Sequence, residues 1–254
     1  NIVLRGKRMN NIAIQNVPSE KINRYSNNPQ ELLKWIAKNL PNEKVVMGTG
    51  FGPPGIVLLD ILFKVTRDIS VFYIDTDFLF DQTYDLKNKL EERYGFKFLR
   101  FNTDVTPEEQ EKQYGKKLWE KDADACCNLR KVLPLNQALK NYDVWVTGIR
   151  KKQTQVRNQS DLIEFESRFE VIKINPLINW THDEVWDYIH THNLPYNPLH
   201  DRNYPSIGCK QCTSPVLSGG DDRSGRWKGS KKTECGLHQC STISIDGSKG
   251  KKNE

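Results

Sequence analysis

Six cysteines carry most of the chemistry that this 254-residue sequence suggests. Cys126–Cys127 is an adjacent pair, and Cys209 and Cys212 form a C-x-x-C pair. A C-x-x-C pair can direct two thiolates at one metal, and four thiolates suit zinc or an iron–sulfur cluster. Because two paired sets are improbable by chance, we predict metal ligands here rather than buried free cysteines. The charge of Arg130–Lys131 would offset that of such a thiolate cluster.

The other two cysteines lie near the C-terminus. Cys235 follows Lys231 and Lys232 and precedes His238, and cationic neighbours lower a thiol pKa and favour the nucleophilic thiolate. Cys240 has no such neighbours. The sequence therefore favours Cys235 as a nucleophile, although a Cys-His pair in a tail is also compatible with a metal site or with no role.

Two segments are candidates for binding an anion. A glycine-rich turn at residues 48–55 has backbone N–H groups that could bind phosphate beside a helix N-terminus, although a turn without a ligand is an equal alternative. The Gly-Lys-Ser/Thr that closes a Walker A loop is absent. Farther along, Arg150, Lys151, Lys152 and Arg157 suit a polyanionic ligand or form a solvated basic loop.

These candidate residues must be positioned by elements that alternate between strands and helices. That alternation indicates a parallel α/β sheet with helices on both faces, and such sheets bind ligands at the carboxyl ends of their strands. The sequence predicts strands over 44–48, 69–74, 96–101 and 142–147, and helices over 30–38, 56–65, 84–94 and 181–190, the last with a capping box of Thr181 and Glu184. We expect an N-terminal helical segment at 1–40, an α/β domain at 41–215 and a flexible C-terminal tail at 216–254.

Charge and composition narrow the class of protein. The formal net charge of +6 favours an anionic ligand, but the chain lacks the blocks of like charge that are typical of nucleic-acid-binding proteins. The longest uncharged apolar stretch, Val45–Leu59, is broken by glycine and proline, and the first thirty residues contain no apolar signal region. We therefore expect a cytoplasmic protein that binds neither membranes nor nucleic acid.

In its cysteine pairs and in several further segments, the chain resembles the assimilatory adenylyl-sulfate (APS) and phosphoadenylyl-sulfate (PAPS) reductase family, in its iron–sulfur type. The resemblance runs in order from about residue 44 to 239, which is most of the chain. The segments that carry it are Phe72–Phe80, Cys126–Lys131, Pro134–Leu135, Thr147–Arg150, Pro195–Asp201, Tyr204–Cys209, Arg226–Trp227 and Glu234–His238. The double cysteine and the last segment are the most diagnostic.

The resemblance implies a parallel-sheet, adenine-nucleotide alpha-hydrolase-like (PP-loop) domain with a mobile C-terminal tail. It implies a 4Fe-4S cluster on Cys126, Cys127, Cys209 and Cys212, and it implies that Cys235 is the nucleophile on the tail. The substrate-binding residues that it implies are Thr49, Gly50, Phe51, Gly52, Asp75, Thr76, Lys131, Arg150, Arg157, Arg223, Arg226 and His238. The chain departs from the family at Gly50–Gly55, where Ser-Phe-Gly is usual, and at Thr154–Arg157, where Ser-Pro-Thr-Arg is usual.

The reaction that the resemblance implies is thiol-dependent reduction of APS to sulfite and AMP in sulfate assimilation. It would pass through an S-sulfocysteine, with thioredoxin or glutaredoxin as the reductant, and a homo-oligomer is compatible with it. PAPS, or both nucleotides, is the alternative substrate. A related adenylating enzyme would need a Ser-Gly-Gly-x-Asp-Ser loop, and a thiolate-zinc module that binds nucleic acid would leave Glu234–His238 unexplained.

Overall fold

The structure is a computed structural model that describes residues 24–216, 222–228, 232–238 and 242–244. Its strands are β1 (Val45–Gly48), β2 (Ser70–Ile74), β3 (Leu99–Phe101), β4 (Val144–Val146), β5 (Ile163–Glu166), β6 (Val171–Ile174) and β7 (Thr242–Ser244). Its helices are α1 (Pro29–Asn39), α2 (Pro53–Val65), α3 (Asp81–Tyr94), α4 (Pro107–Tyr114), α5 (Leu118–Lys121), α6 (Ala123–Cys127), α7 (Leu133–Leu139) and α8 (His182–Thr191). Short 3-10 helices at Lys151–Gln153, Arg157–Gln159 and Lys210–Cys212 also carry candidate site residues.

The strands form one sheet in the order β3-β2-β1-β4-β6-β5-β7. Strands β3, β2, β1, β4 and β6 are parallel to their neighbours in that series, whereas β5 is antiparallel to both β6 and β7. The chain runs outward from β1 through β2 to β3 and then returns to place β4 on the other side of β1. Because open parallel sheets bind ligands where the strand order reverses, the carboxyl ends of β1 and β4 are the expected position of a site.

Both faces of the sheet are covered, as continuous apolar strands require. On one face Met47 and Val146 pack in a large core with apolar residues of α1, α2 and α8. On the other face Phe72 and Trp145 pack in a smaller core with Leu135 of α7. The α1 residues belong to the same core as the sheet, so residues 29–39 are an integral part of the α/β unit.

The helix boundaries follow the local sequence. Asn28 accepts a hydrogen bond from the Glu31 N–H at the start of α1, and Pro29 occupies the first position, where proline costs no hydrogen bond. The capping box of Thr181 and Glu184 at the start of α8 is confirmed. Helix α3 ends at Gly95, which adopts a left-handed φ of 62°.

Several elements differ from the sequence prediction. Only Leu99–Phe101 of the expected strand at 96–101 pairs with β2, because Phe96 and Phe98 instead pack on other aromatic rings in the core. Strands β5, β6 and β7 were not predicted. Strands β5 and β6 contain buried charges, and Lys173 Nζ lies 2.8 Å from Glu164 Oε1 in an ion pair that offsets the burial of both charges.

No helix in the described ranges is both long enough and apolar enough to cross a membrane. Residues 1–23, which make up more than half of the expected N-terminal segment, and Lys231 and Cys240 of the expected tail lie outside the described residues.

Candidate functional site

A cavity of about 430 Å³ opens at the carboxyl ends of β1, β2 and β4. This volume lies within the usual range for small-molecule sites. The cavity brings together ten of the twelve predicted substrate-binding residues with Cys209 and Cys235. The ten are Thr49, Gly50, Gly52, Thr76, Lys131, Arg150, Arg157, Arg223, Arg226 and His238.

The other two predicted residues, Phe51 and Asp75, do not line the cavity. The Phe51 ring is buried against Tyr73 and Phe98, although its backbone has a left-handed φ of 59°. The Asp75 carboxylate accepts hydrogen bonds from Tyr84 Oη at 2.7 Å and from Arg100 Nε at 2.7 Å. Asp75 is therefore part of a polar network beside the strand ends.

The glycine-rich turn becomes the first turn of α2 at one wall of the cavity. Pro53 and Pro54 occupy the start of this helix and carry no N–H, so the backbone donors of the wall must come from the residues around them. A Cβ at Gly50 or Gly52 would meet nothing within 4 Å, so the backbone there is open to close approach by a ligand. The departure from the usual family sequence thus keeps an open turn but removes two helix donors.

Arginines also line the cavity, and their side chains are held by protein partners. Arg150 Nη1 donates to the Trp180 carbonyl at 3.1 Å, and Arg226 Nη1 donates to Ser206 Oγ at 3.3 Å. Arg157 Nη1 donates to Gln153 Oε1 at 2.8 Å. The Nε atoms of these three arginines are buried and have no hydrogen-bond partner among the described residues. Arg150 and Arg226 are buried and Arg157 is half-buried, and oriented cations of this kind suit an anionic ligand with several oxygen atoms.

Cys235 lies at the same cavity and is partly exposed. Burial raises the pKa of its thiol, but Lys131, the Leu237 N–H, Arg226 and Arg157 lower it more, so the pKa falls below its ordinary value. A lowered pKa favours the nucleophilic thiolate at neutral pH.

The charged side chains that lower this pKa are not those that are adjacent to Cys235 in sequence. Lys232 Nζ instead contacts the carboxylate of Asp124. Burial and nearby cations, Lys173 first among them, hold the pKa of His238 well below its ordinary value. His238 is therefore neutral at neutral pH, and its ring stacks on Trp145 with a centroid distance of 5.1 Å.

The four predicted metal ligands come from two separate segments. Cys126 and Cys127 end α6. Cys209 precedes the 3-10 helix at Lys210–Cys212, and Cys212 ends it, while the Lys210 N–H donates to the Phe78 carbonyl at 2.8 Å. All four are free thiols. Burial and then repulsion from the other three thiols raise the pKa of Cys126 to about 12, so the other three cysteines act on Cys126 electrostatically.

Within the part of the chain that the structure describes, no three Cys, His, Asp or Glu side chains are arranged as a metal-binding group. The donor chemistry nevertheless fits an iron–sulfur cluster, since two segments supply four free thiols and three of them raise the pKa of the fourth, Cys126. Lys131 is buried beside them, and the charges of Cys209, Cys235 and Cys127 raise its pKa against the opposing effect of burial. Arg130 is used differently, because its guanidinium donates to Asp77 Oδ2 at 2.6 Å and to Gln110 Oε1 at 2.7 Å.

Sequence reasoning missed Trp145, which also lines the cavity. Its indole Nε1 is buried without a hydrogen-bond partner among the described residues. A Cβ at Gly48 would lie 2.7 Å from this atom, so the neighbouring strand must have glycine there. The available signal was the alternation of side chains along β4, which places Trp145 opposite its neighbours Val144 and Val146.

The strand order and the helices on both faces of the sheet define a class, the PP-loop α/β fold. The crystal structure of Candida glabrata FMN adenylyltransferase in complex with FMN and the ATP analogue AMPCPP shares this fold with a TM-score of 0.54. The match covers 77% of this chain and 66% of that chain at 16% identity, so the likeness concerns the fold alone. The predicted fold class is confirmed.

Residues 44–215 match the phosphoadenosine phosphosulfate reductase domain, and the chain belongs to this family. Two relatives are named adenosine 5'-phosphosulfate reductase. The one from Halalkalibacterium halodurans is 46% identical over 210 residues, which cover 82% of this chain and 90% of the relative. The one from Shouchella clausii is 44% identical over 222 residues, which cover 86% and 92%.

The chain is also similar to a solved structure of a reductase. The crystal structure of phosphoadenylyl-sulfate (PAPS) reductase from Candida auris, a phosphate complex, is 34% identical with a TM-score of 0.66. The match covers 79% of this chain and 98% of that chain. The predicted family resemblance is confirmed.

Proposed function

We propose that this protein reduces adenylyl sulfate (APS) to sulfite and AMP in sulfate assimilation, through an S-sulfocysteine on Cys235. The names of relatives that are 44–46% identical support APS as the substrate. The observation that carries the mechanism is a thiol of lowered pKa at a cavity lined by buried and half-buried arginines and by the buried Lys131.

In this proposal the cations do two things for sulfonyl transfer. Arg150, Arg157, Arg223 and Arg226, with Lys131, offset the repulsion between a thiolate and an anionic phosphosulfate. They also stabilise the charge that develops on the leaving phosphate. The turn at Thr49–Gly52 and Thr76, which line the same cavity, would contact the nucleotide.

The first step is a nucleophilic substitution at the sulfonyl sulfur of the substrate. Cys235 Sγ attacks the sulfonyl sulfur, the Sγ–S bond forms, and the bond from sulfur to the bridging oxygen breaks. The electron pair of that bond goes to the phosphate oxygen, so AMP leaves. His238, which is neutral, would contribute a hydrogen bond rather than a charge at this stage.

The second step needs a dithiol, for which we propose thioredoxin or glutaredoxin. One thiolate of the reductant attacks Cys235 Sγ, and the electron pair of the Sγ–S bond leaves with sulfite. The second thiol of the reductant then breaks the mixed disulfide and restores the Cys235 thiolate, so the reductant is oxidised to a disulfide. A cytoplasmic location suits this step because thiols are kept reduced there.

We further propose that Cys126, Cys127, Cys209 and Cys212 hold a 4Fe-4S cluster. Their shared burial and mutual repulsion support this assignment, since metal binding would stabilise the thiolates. When bound, the cluster would supply a fixed charge centre beside Lys131 and would join the two cysteine segments. In this account residues 41–215 bind nucleotide and cluster, residues 216–254 carry the nucleophile, and the N-terminal segment at 1–40 supplies the helix at 29–39 to the core of the α/β unit.

The test is sulfite production by anaerobically purified protein with a dithiol reductant, with APS and PAPS compared at equal concentrations. We expect sulfite and AMP from APS and much slower turnover of PAPS. Equal or faster turnover of PAPS would reverse the substrate assignment, and an absence of sulfite from both nucleotides would refute the proposed reaction.

A further inference from the structure

Arg168 holds the backbone that directly follows Cys235. Its Nη1 donates to the Gly236 carbonyl at 2.7 Å, and its Nη2 donates to the Leu237 carbonyl at 3.2 Å. Charge-assisted hydrogen bonds of this kind are about twice as strong as neutral ones. The segment that carries the thiol is thus fixed at two consecutive carbonyls by one side chain.

Arg168 is itself held in place. It lies in the turn between β5 and β6, and its Nε and Nη2 donate to the two carboxylate oxygens of Glu166, both at 3.0 Å. Glu166 is fully buried in β5, so its position is set by the sheet. The Arg168 guanidinium also lies over the Phe169 ring, 5.0 Å from its centroid. A bidentate pair with a buried carboxylate leaves the guanidinium little freedom.

The peptide unit between residues 236 and 237 connects Arg168 to the thiol. A peptide is planar, and its C=O and N–H point in opposite directions. When Arg168 binds the Gly236 oxygen, it therefore also fixes the direction of the Leu237 N–H. That N–H is the group that hydrogen-bonds the Cys235 sulfur. Gly236 makes the required bend with a φ of 82°, which favours glycine.

Neither Arg168 nor Glu166 lines the cavity, whereas Cys235 does. Arg168 therefore does not contact a nucleotide in the cavity directly. It acts there through the backbone of the tail segment, and its charge also contributes to the lowered pKa of His238. On the other side of the thiol, Glu234 ties the same segment to Arg157 at 3.0 Å and to Thr154 at 3.1 Å. Cys235 is held between these two attachments.

We propose that Arg168, fixed by Glu166, is a positioning residue that holds the peptide unit between residues 236 and 237, and with it the Cys235 sulfur, in the geometry for sulfonyl transfer. This inference rests on the proposed function for its catalytic consequence. Its structural part concerns the resting protein and needs no substrate.

The test compares Arg168→Gln with Arg93→Gln. Arg93 is a matched control because it too donates to two consecutive carbonyls, those of His192 at 3.2 Å and Asn193 at 2.8 Å, away from the cavity. Glu166→Gln/Arg168→Gln is the second variant, since it leaves no unpaired buried charge if the single variant folds poorly. For each protein we would measure three quantities. The first is the rate of Cys235 alkylation by iodoacetamide, at a pH high enough that the rate no longer rises with pH. The others are the AMP dissociation constant and the single-turnover S-sulfonation rate with saturating APS.

We expect either Arg168 variant to be alkylated at least fivefold faster at Cys235 and sulfonated at least tenfold more slowly, with AMP binding within twofold of the unmodified protein. The Arg93 variant should match the unmodified protein in all three measurements. Alkylation unchanged in both Arg168 variants would overturn the proposal, as would faster alkylation with an unchanged sulfonation rate. If the unmodified protein forms no S-sulfocysteine, the proposed function fails, while the alkylation comparison still decides whether Arg168 holds the thiol.

Discussion

Cys235 and Cys126 have the same side chain, and both are affected by burial, yet their pKa values move in opposite directions. Burial and repulsion from Cys127, Cys209 and Cys212 raise the pKa of Cys126 to about 12. At Cys235 the effect of burial is outweighed by Lys131, a backbone N–H and two arginines. Burial therefore does not decide thiol reactivity here. The neighbours do, and a thiol among cations can act as a nucleophile while thiols among thiols stay protonated unless a metal binds them.

The largest expected effect comes from removing the nucleophile. Cys235→Ser should abolish sulfite production from APS, because a serine hydroxyl is not ionised at neutral pH and cannot replace the thiolate. Iron and acid-labile sulfide should stay at the level of the unmodified protein, because Cys235 is separate from the four proposed ligands. Sulfite production and the iron and sulfide content are measured on the same anaerobic preparation. Substantial sulfite from the variant would show that Cys235 is not the nucleophile, and the contrast between the two kinds of thiol would fail.

The next effect is expected from replacing one of the four proposed cluster ligands. Cys209→Ser should lose iron and acid-labile sulfide, since a serine side chain is a much poorer ligand for iron than a thiolate. Iron and sulfide analysis after anaerobic purification checks this expectation, and Cys235→Ser serves as the matched Cys-to-Ser control. One zinc per chain and no sulfide in the unmodified protein would contradict the cluster assignment.

A smaller effect is expected from one cation. Arg226→Gln should lower the apparent second-order rate of S-sulfonation by at least about tenfold, since a charge-assisted hydrogen bond contributes about 1.5–3 kcal/mol. Its loss should also raise the pH at which Cys235 becomes reactive, because Arg226 lowers the pKa of that thiol.

The control for this cation is Arg67→Gln. Both guanidiniums lie over an aromatic ring, that of Arg226 4.4 Å from the Trp227 centroid and that of Arg67 4.7 Å from the Phe63 centroid. Only Arg226 lines the cavity. If Arg67→Gln impaired S-sulfonation as much as Arg226→Gln, the effect could not be assigned to charge at the cavity.

The smallest effect on activity is expected at Asp60, a buried acid outside the cavity. Burial raises its pKa, but hydrogen bonds from Lys64, Tyr94 and Tyr188 lower it more, so the folded pKa lies below the unfolded one. The stabilisation is therefore present above the unfolded pKa, near 4, and is lost as the pH falls through the folded pKa. Asp60→Asn should lower the free energy of unfolding by about 1–3 kcal/mol at pH 7.

This difference should shrink as the pH falls below about 4, and S-sulfonation at pH 7 should stay unchanged. Urea unfolding at several pH values measures the difference in the free energy of unfolding. Asp68→Asn is the control, because Asp68 is exposed. A stability difference that grows as the pH falls would contradict the sign of the pKa shift.

The parts of the fold that were predicted are those with a local signal. Strands β1, β2 and β4 are short runs of β-branched residues because both of their faces are buried, and α8 begins with a complete capping box. Strands β5 and β6 have no such signal. Their buried Glu164 and Lys173 look like surface residues in the sequence, and only the folded sheet pairs them.

The site shows the same limit. Sequence order identified Cys235 but suggested Lys232 and His238 as its charged neighbours, whereas Lys131 and two arginines from distant segments lower its pKa in the fold. Asp75 follows β2 as expected, yet its carboxylate is bound by Arg100 rather than presented to the cavity. Arg168 belongs to no motif, because it acts on backbone carbonyls and any segment could provide them.

The central claim is that Cys235 alone among the cysteines accepts the sulfonate. Its most direct test is peptide mass spectrometry after incubation of the anaerobic protein with APS and no reductant, with fragmentation that separates Cys235 from Cys240. The account predicts one S-sulfonate per chain, located on Cys235 and absent from Cys235→Ser. An adduct on Cys240 or on any of the four proposed cluster ligands would contradict it.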